Sequence, residues 1–241
     1  MRVLFKHSGH RFVSSVLSLI YPSECPVCKG ASDTFRYSPI CPGCWEGIKK
    51  YNGPACKVCA APLVSEYSSV CGGCLNKKPH FSAVMSFGLY SGTLREAIHL
   101  FKFSGLRRLA GPLGEFLSEL PIPETDGIVP VPLSKKSLRA RGFNQTLLLA
   151  RALAKKMEVP VLMDVLLKKK ETPPQIGLGA VERAANIRKA FEADGSIKGK
   201  RLILIDDVMT TGATARECAK TLVRAGAEEV VVVTLARSAL T

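Results

Sequence analysis

Eight of the nine cysteines fall between residues 25 and 74 and form four Cys-x-x-Cys pairs, separated by 12, 11 and 11 residues. A turn that carries Cys-x-x-Cys directs both sulfur atoms toward one point. Two such turns complete the tetrahedral four-sulfur shell that Zn²⁺ accepts. The pattern therefore predicts a small ribbon-like domain with two structural zinc sites. Their predicted ligands are Cys25, Cys28, Cys41, Cys44, Cys56, Cys59, Cys71 and Cys74.

The alternative use of these cysteines is a set of four disulfides in an exported domain. That alternative needs an export signal, but the apolar stretch 12–20 is short and no small-residue cleavage site follows it. We therefore favour zinc. Sequential sharing of the metals, first pair with second and third with fourth, closes the shortest loops, and a crossed arrangement is the alternative. Residues 12–21 form a candidate amphipathic helix that packs on the ribbons or contacts a membrane surface.

The composition is that of a globular chain with a strong positive charge. The 241 residues are 46% hydrophobic and 22% charged, which excludes a disordered or fibrous protein. No apolar run reaches the length needed to span a bilayer, so we expect no transmembrane segment. The net charge is +14, and residues 132–201 alone contain 16 basic and 6 acidic side chains. A surplus of this size indicates a polyanionic partner, such as a phosphorylated substrate or nucleic acid.

A second strong signal lies at residues 202–214. The apolar run 202–205 predicts a buried strand of a parallel sheet, and Asp206 and Asp207 follow it. The next residues are small and rich in hydroxyl groups, and they lead into a helical pattern over 215–225. Such a loop at the start of a helix presents backbone N–H groups to a phosphate, while the two acids suit the hydroxyl groups of a ribose. The predicted phosphate-binding residues are Met209, Thr210, Thr211, Gly212, Ala213 and Thr214.

The rest of the chain alternates between strand and helix patterns, which predicts an α/β fold with a parallel sheet. Predicted strands cover 81–90, 127–131, 159–167 and 228–236, and predicted helices cover 94–103, 109–120 and 146–157. The basic segment 134–141 lacks an apolar period and is predicted to be a loop, as is the Gly- and Pro-containing segment 168–181. Two roles remain open for Lys102: a contact to an anion, or a place on a solvated helix face. Asn144 and Gln145 are left open between ligand contacts and simple helix caps.

Segment 202–214 resembles the phosphoribosyl-pyrophosphate (PRPP) signature of type I phosphoribosyltransferases. The chain from Tyr21 onward resembles the ComF family, which is named for bacterial competence for DNA uptake. The resemblance includes the cysteine pairs, Ile98-His-Leu-Phe-Lys-Phe, Arg141-Gly-Phe-Asn-Gln and Thr172-Pro-Pro-Gln. It implies an α/β phosphoribosyltransferase core with a parallel sheet, preceded by a small four-cysteine zinc-ribbon domain. We expect the helix and double ribbon to occupy residues 1–80 and the phosphoribosyltransferase-like domain to occupy 81–241.

The resemblance also implies roles for individual residues. Asp206 and Asp207 become the catalytic pair of a Mg²⁺-dependent phosphoribosyltransferase that uses PRPP, with an acceptor that the sequence does not identify. Candidate contacts to the pyrophosphate group lie in the pyrophosphate loop and in a flexible loop that closes over the substrate. They are Lys135, Arg139, Arg141, Lys169 and Arg183.

Family membership further implies a role in the uptake and utilisation of extracellular DNA. The implied place is the cytoplasm, with peripheral contact at the inner membrane face, and the implied partners are single-stranded DNA and a helicase-like competence protein. The alternative is a non-catalytic DNA-binding or scaffold protein that only retains the PRPP-binding fold.

Overall fold

The computed structural model describes residues 23–32, 35–170 and 180–239. The chain forms two compact units, Met1–Ile48 and Lys49–Thr241. This division falls between the second and third cysteine pairs, so the last four paired cysteines belong to the larger unit. The boundary expected at residues 80 and 81 stays a prediction of domain organisation. Within the described residues, no helix has both the length and the apolar character needed to cross a membrane.

In the described part of the smaller unit, residues 23–32 and 35–48, regular structure is limited to short elements. Strand β1 (Ser23–Glu24) pairs antiparallel with β2 (Ala31–Ser32), and helix α1 (Pro42–Glu46) begins directly after Cys41. Proline suits the first turn of a helix because no backbone N–H is needed there. Trp45 of α1 is buried, and its ring stacks on Tyr37 at 4.8 Å between centroids. The candidate helix at 12–21 lies outside the described residues.

The larger unit contains the remaining elements. Its strands are β3 (Ala83–Leu89), β4 (Gly127–Pro130), β5 (Leu166–Lys168), β6 (Phe191–Ala193), β7 (Arg201–Met209) and β8 (Glu229–Arg237). Its helices are α2 (Gly72–Asn76), α3 (Gly92–Phe103), α4 (Ala110–Ser118), α5 (Lys135–Arg141), α6 (Gln145–Met157), α7 (Ala180–Ile187) and α8 (Ala213–Arg224). Short 3₁₀ turns occur at Arg107–Leu109 and Gly195–Ile197.

The central sheet is parallel throughout, with the strand order β3-β8-β7-β4. The inner strands β7 and β8 consist largely of buried β-branched residues and leucines, which is the composition expected of a sheet covered on both faces. Their register places Asp206 beside Thr234 and Met209 beside Arg237. Because all four strands run the same way, their carboxyl ends meet at one edge of the sheet.

Most predicted elements are confirmed, with shifted ends. Helix α3 buries Leu94, Ala97, Ile98 and Phe101 along one face. Helix α6 begins at Gln145 and buries Leu149, Ala150 and Leu153. Helix α8 ends before Gly226, whose φ of +104° favours glycine and breaks the helix.

Two predictions are wrong. Residues 135–141 form helix α5 and not a loop, because the Ser134 side chain accepts a hydrogen bond from the Ser137 backbone N–H and Gly142 ends the helix at φ +74°. None of the α5 side chains is buried, so the helix has no apolar period to detect. The expected strand at 159–167 does not form as predicted. Val161 makes a single bridge to Ile128, and the end of the segment forms β5, which pairs antiparallel with β6 outside the central sheet.

The segment that carries the third and fourth cysteine pairs packs directly on the sheet. Cys56, Cys59 and Cys74 share one hydrophobic core with strand residues of β7 and β8 and with α8. Strand β3 lies at the edge of the sheet, and its Val84 N–H donates to the carbonyl of Val58 at 2.9 Å. The Phe87 carbonyl of the same strand accepts from the Tyr51 N–H at 2.8 Å. The edge of the sheet is thus covered by residues that precede it in the chain.

Candidate active site and metal centres

The two acids predicted to bind ribose lie within the last part of β7, near the carboxyl edge of the sheet. Ligands of open α/β sheets bind at this edge, because the loops that follow neighbouring strands converge there. The loop after β4 leads to α5 and α6, and the loop after β7 leads to α8. The acidic pair therefore lies where two strand–loop–helix connections meet.

Asp207 is buried and accepts hydrogen bonds from two side chains of other elements. Its Oδ1 accepts from Lys102 Nζ of α3 at 3.0 Å, and its Oδ2 accepts from Gln145 Nε2 of α6 at 2.8 Å. The side chains of Lys102 and Asp207 are 19% and 4% exposed. A buried carboxylate needs such a partner, because an unpaired charge away from water is strongly unfavourable.

Asp206 has a different electrostatic environment. Its Oδ1 accepts from the Asp207 backbone N–H at 2.9 Å. Burial, together with the negative charge of Asp207, raises the pKa of Asp206 to about 7, against the opposing effect of Lys102. The pair therefore combines one carboxylate held by a cation with a second that takes up a proton near neutral pH.

The loop that follows the acids, residues 209–214 (the phosphate loop), opens helix α8. Gly212 is the N-cap of α8 and has φ +78°, a left-handed conformation that glycine adopts without strain. A Cβ at this position would overlap the methyl group of the buried Met209 side chain. The sequence therefore needs glycine at residue 212, both for the turn and for its packing.

The five predicted pyrophosphate contacts lie on helices α5 and α7 and, for Lys169, directly after β5. Arg141 is the one that the structure links to the acids, because its guanidinium donates to Gln145 Oε1, and Gln145 in turn donates to Asp207. Burial lowers the pKa of Arg141, and the charge of Asp207 opposes that shift. Lys135 and Arg139 are exposed on α5.

The other two predicted contacts belong to the region around the expected flexible loop. Lys169 pairs with Glu192 at 3.2 Å, and since both side chains are more than half exposed this pair contributes at most about 1 kcal/mol. Arg183 lies on α7, and its side chain is outside the described part of the structure. Residues 171–179, most of that loop, also lie outside it.

The paired cysteines form two separate groups that follow the sequential arrangement. The first cysteine cluster is Cys25, Cys28, Cys41 and Cys44, and the second cysteine cluster is Cys56, Cys59, Cys71 and Cys74. In each cluster the four sulfur atoms lie within 4.8 Å of one another. The Cys28–Cys41 and Cys59–Cys71 sulfur separations are both 3.6 Å, close to the roughly 3.8 Å expected between thiolates at tetrahedral Zn–S distances.

Local backbone geometry prepares both clusters for a cation. Although burial alone would raise it, backbone N–H donors from Cys28, Cys41 and Val27 lower the pKa of the Cys25 thiol to about 6. The equivalent donors from Cys71, Cys59 and Val58 outweigh burial and lower the pKa of Cys56 to about 7. Donors that favour the thiolate favour the form that binds metal, so four-cysteine Zn²⁺ sites fit both clusters.

Comparison with known proteins identifies two domain families in the chain. The double zinc ribbon domain family matches residues 16–75, and the phosphoribosyl transferase domain family matches residues 144–239. Competence protein F of Haemophilus influenzae is 32% identical over 228 residues, which cover 89% of this chain and 97% of that protein. This chain belongs to the ComF family.

A second relative and one solved structure are also similar to this chain. Within the family, the DNA utilization protein YhgH of Escherichia coli is 32% identical over 193 residues, covering 76% of this chain and 84% of that protein. Among solved structures, glutamine PRPP amidotransferase from B. subtilis matches with a TM-score of 0.39 and 25% identity. That match covers 53% of this chain but only 26% of the amidotransferase chain.

The sequence assigns no role to two residues of this candidate site, Lys102 and Gln145. Lys102 is 105 residues from Asp207 in the chain, and only the packing of α3 beside the sheet brings it close. The only signal for it in the sequence was its position within Ile98-His-Leu-Phe-Lys-Phe. Asn144 is the cap of α6, accepting from the Thr146 N–H at 3.1 Å, whereas Gln145 contacts the acid.

Proposed function

We propose that the larger unit binds PRPP together with Mg²⁺ at the carboxyl edge of β4 and β7. The observation that carries this proposal is the junction of Asp206 and Asp207 with the phosphate loop at the start of α8. Acids that accept hydrogen bonds from hydroxyl groups, followed at once by a helix start that attracts phosphate, match a sugar phosphate. The phosphoribosyl transferase family match over residues 144–239 supports the same substrate class.

In this proposal the two acids accept hydrogen bonds from the ribose hydroxyls and balance positive charge that develops on the sugar. The backbone N–H groups of the phosphate loop hold the 5′-phosphate, and the hydroxyls of Thr210, Thr211 and Thr214 add donors. Because Asp207 is already held by Lys102 and Gln145, its carboxylate is fixed in position before the ligand arrives. Such preorganisation reduces the reorganisation needed when charge develops.

The leaving group of the reaction is pyrophosphate, which requires cations. We assign this role to Lys135, Arg139 and Arg141, with Lys169 and Arg183 contributing from the segment that would close over the substrate. Lys102 joins them, because its ammonium group already lies beside Asp207. When bound with PRPP, Mg²⁺ neutralises the pyrophosphate oxygens, and oxygen donors such as the Asp206 carboxylate suit this ion.

The proposed reaction is phosphoribosyl transfer. The bond between ribose C1′ and the pyrophosphate oxygen breaks, a bond from C1′ to the acceptor nucleophile forms, and the electron pair leaves with pyrophosphate. Exclusion of water protects the cationic sugar from hydrolysis during this step. The acceptor is unassigned.

For the cellular role, the names of the relatives provide the support. Competence protein F and DNA utilization protein YhgH share 32% of their aligned residues with this chain. We place this protein in the uptake and utilisation of extracellular DNA, acting in the cytoplasm or at the inner membrane face beside a helicase-like partner. Two four-cysteine zinc sites support its fold.

The deciding experiment is calorimetric titration of Mg²⁺ and PRPP into the zinc-loaded protein and into the Asp206→Asn/Asp207→Asn double variant. We expect binding by the wild type and at least a hundredfold loss in the variant. Asp164→Asn is the matched control, because Asp164 is exposed and its replacement also removes a negative charge. No binding by folded wild-type protein would overturn the proposal.

A second candidate function, single-stranded DNA binding without catalysis, is favoured by α5. Three of the basic side chains of this helix, Lys135, Lys136 and Arg139, are exposed. Nucleic-acid binding through such charges weakens linearly on a log–log plot against salt concentration. A steep slope with oligonucleotides, unaffected by Asp206→Asn/Asp207→Asn, would support this function, whereas a flat slope would exclude it.

A further inference from the structure

The second cysteine cluster is joined to the phosphate loop by Arg237, the last residue of β8. Arg237 is only 2% exposed. Its Nε donates to the Cys59 carbonyl at 3.0 Å, while one terminal nitrogen donates to the carbonyls of Met209, at 2.8 Å, and Thr210. One buried guanidinium therefore ties a metal-binding turn to the first two residues of the phosphate loop.

Arg216 makes a second connection on the far side of the same loop. It lies in the first turn of α8, and its backbone N–H donates to the Gly212 carbonyl at 2.9 Å. Its guanidinium donates to the Cys74 sulfur at 3.4 Å and to the Lys77 carbonyl at 2.8 Å. The guanidinium also lies 5.8 Å from the centre of the Phe81 ring. The start of α8 is thus attached to a sulfur atom of the metal site.

The charges of these groups complement one another when the cluster holds metal. Four thiolates around one Zn²⁺ carry a net charge of −2, and the two arginines carry +2. A guanidinium that donates to a thiolate makes a charge-assisted hydrogen bond, which is stronger than one to a neutral thiol. The acceptors of Arg237 are backbone carbonyls, so a nearby anionic cluster reduces the cost of burying its charge.

We propose that the second cysteine cluster, when loaded with metal, holds the phosphate loop in its binding conformation, with Arg237 and Arg216 as the positioning residues. Arg237 fixes the backbone after β7, and Arg216 fixes the first turn of α8. Without the metal, the turns that carry Cys59 and Cys74 lose the ion that holds them together, so both arginines lose fixed partners and the loop loosens. The effect on ligand binding rests on the proposed PRPP function. The coupling between the metal site and the phosphate loop does not depend on that function.

The first test is hydrogen–deuterium exchange of the zinc-loaded full chain, read on peptides that cover residues 206–216. Arg216→Gln removes the contact to Cys74 without emptying a buried position, since Arg216 is half-buried. We expect exchange in these peptides to be about tenfold faster than in wild type. Arg224→Gln, which removes an exposed arginine from the last turn of the same helix, should exchange like wild type. Equal exchange in both variants would overturn the proposal.

The second test measures how the arginine affects the affinity of the site for Zn²⁺. Competition with a chromophoric chelator should show that Arg216→Gln weakens Zn²⁺ binding by one of the two sites by about 10- to 100-fold, the usual effect of losing a partner of a metal ligand. Unchanged zinc affinity at both sites would contradict the assigned bond to Cys74.

Titration with Mg²⁺ and PRPP then separates the two proposals. If wild-type protein binds PRPP, we expect Arg216→Gln to weaken binding by about tenfold and Arg224→Gln to leave it unchanged. Binding equal to wild type in Arg216→Gln would overturn the role of the arginine in positioning the loop. Failure of wild type to bind would overturn the proposed function alone, because exchange and zinc affinity still decide the coupling.

Discussion

The two cysteine clusters have the same local chemistry but different surroundings. Both use two Cys-x-x-Cys turns, both have one 3.6 Å sulfur–sulfur separation between their turns, and in both the first cysteine is acidified by backbone N–H donors. The first cluster belongs to the compact unit Met1–Ile48. The second belongs to the unit that contains the sheet, and its cysteines are part of the sheet's hydrophobic core.

This difference teaches that the role of a four-cysteine site is decided by what packs around its ligands. Among the described residues of the first unit, the large buried apolar side chains include Ile40 and Trp45, and units this small depend on metal for their own folding. The second cluster contacts residues whose positions matter for ligand binding. Loss of metal should therefore remain a local event in the first unit and should reach the phosphate loop in the second.

The largest expected difference comes from removing one metal at a time. Cys56→Ser should weaken binding of Mg²⁺ and PRPP by at least a hundredfold, because the phosphate loop loses its support. Cys25→Ser, at the equivalent position of the first cluster, should have a much smaller effect on this affinity. Zinc content and calorimetric titration of both variants check the prediction, and equal losses of affinity would break the comparison.

Next in size is the replacement of an arginine in each unit. Arg237→Met removes the guanidinium that donates to the carbonyls of Cys59, Met209 and Thr210, of which Met209 keeps the Ser238 N–H as a donor. We expect it to lower the free energy of unfolding by about 3 kcal/mol. Arg36→Met in the first unit changes an exposed side chain, and its effect should stay within about 0.5 kcal/mol. Urea denaturation measures both, and a small effect of Arg237→Met would contradict its assigned role.

A smaller contrast is expected between two glycines. Gly212→Ala forces alanine into φ +78° and against Met209, so we expect a loss of about 1–2 kcal/mol and weaker PRPP binding. Gly43→Ala in α1 meets no neighbouring atom within 4 Å, and alanine favours a helix, so stability should stay equal or rise slightly. Thermal unfolding of each variant provides the measurement, and the opposite order would count against this account of the loop.

The last expected effect is a pH dependence in the larger unit. The folded-state pKa of Asp206, about 7, lies above its ordinary value of 3.8, so the folded protein retains a proton that the unfolded chain releases. This contribution to stability is complete below pH 4 and is lost as the pH rises to about 7. Wild-type protein should therefore lose stability relative to Asp206→Asn between pH 5 and 8. A constant difference across this range would contradict the raised pKa.

The sequence predicted the parts of the molecule whose signals are local. Continuous apolar runs located β7 and β8, a helical pattern located α8, and the spacing of the cysteines located both clusters. Helix α5 was missed because none of its side chains is buried, which leaves no apolar period. The strand at 159–167 was overpredicted because most of its apolar residues lie in a connection between elements and not in the central sheet. Lys102 could not be assigned, since its partner Asp207 is distant in sequence.

The arginines were missed for a related reason. Arg237 looks like the polar end of a strand, and Arg216 resembles any basic residue on a helix. Their roles depend on Cys59 and Cys74, which lie 178 and 142 residues away in the chain. No local pattern in a single sequence reports such contacts.

The hydrogen bond from Val84 to Val58 has a consequence for solubility. Strand β3 lies at an edge of the parallel sheet, and an uncovered edge strand offers its backbone groups to strands of other molecules. The segment around the second cysteine cluster occupies two of those groups, at Val84 and Phe87. A chain that began at residue 81 would contain all four strands of the central sheet, yet it would expose this edge and tend to aggregate. We therefore expect the segment around the second cysteine cluster to protect the sheet from self-association as well.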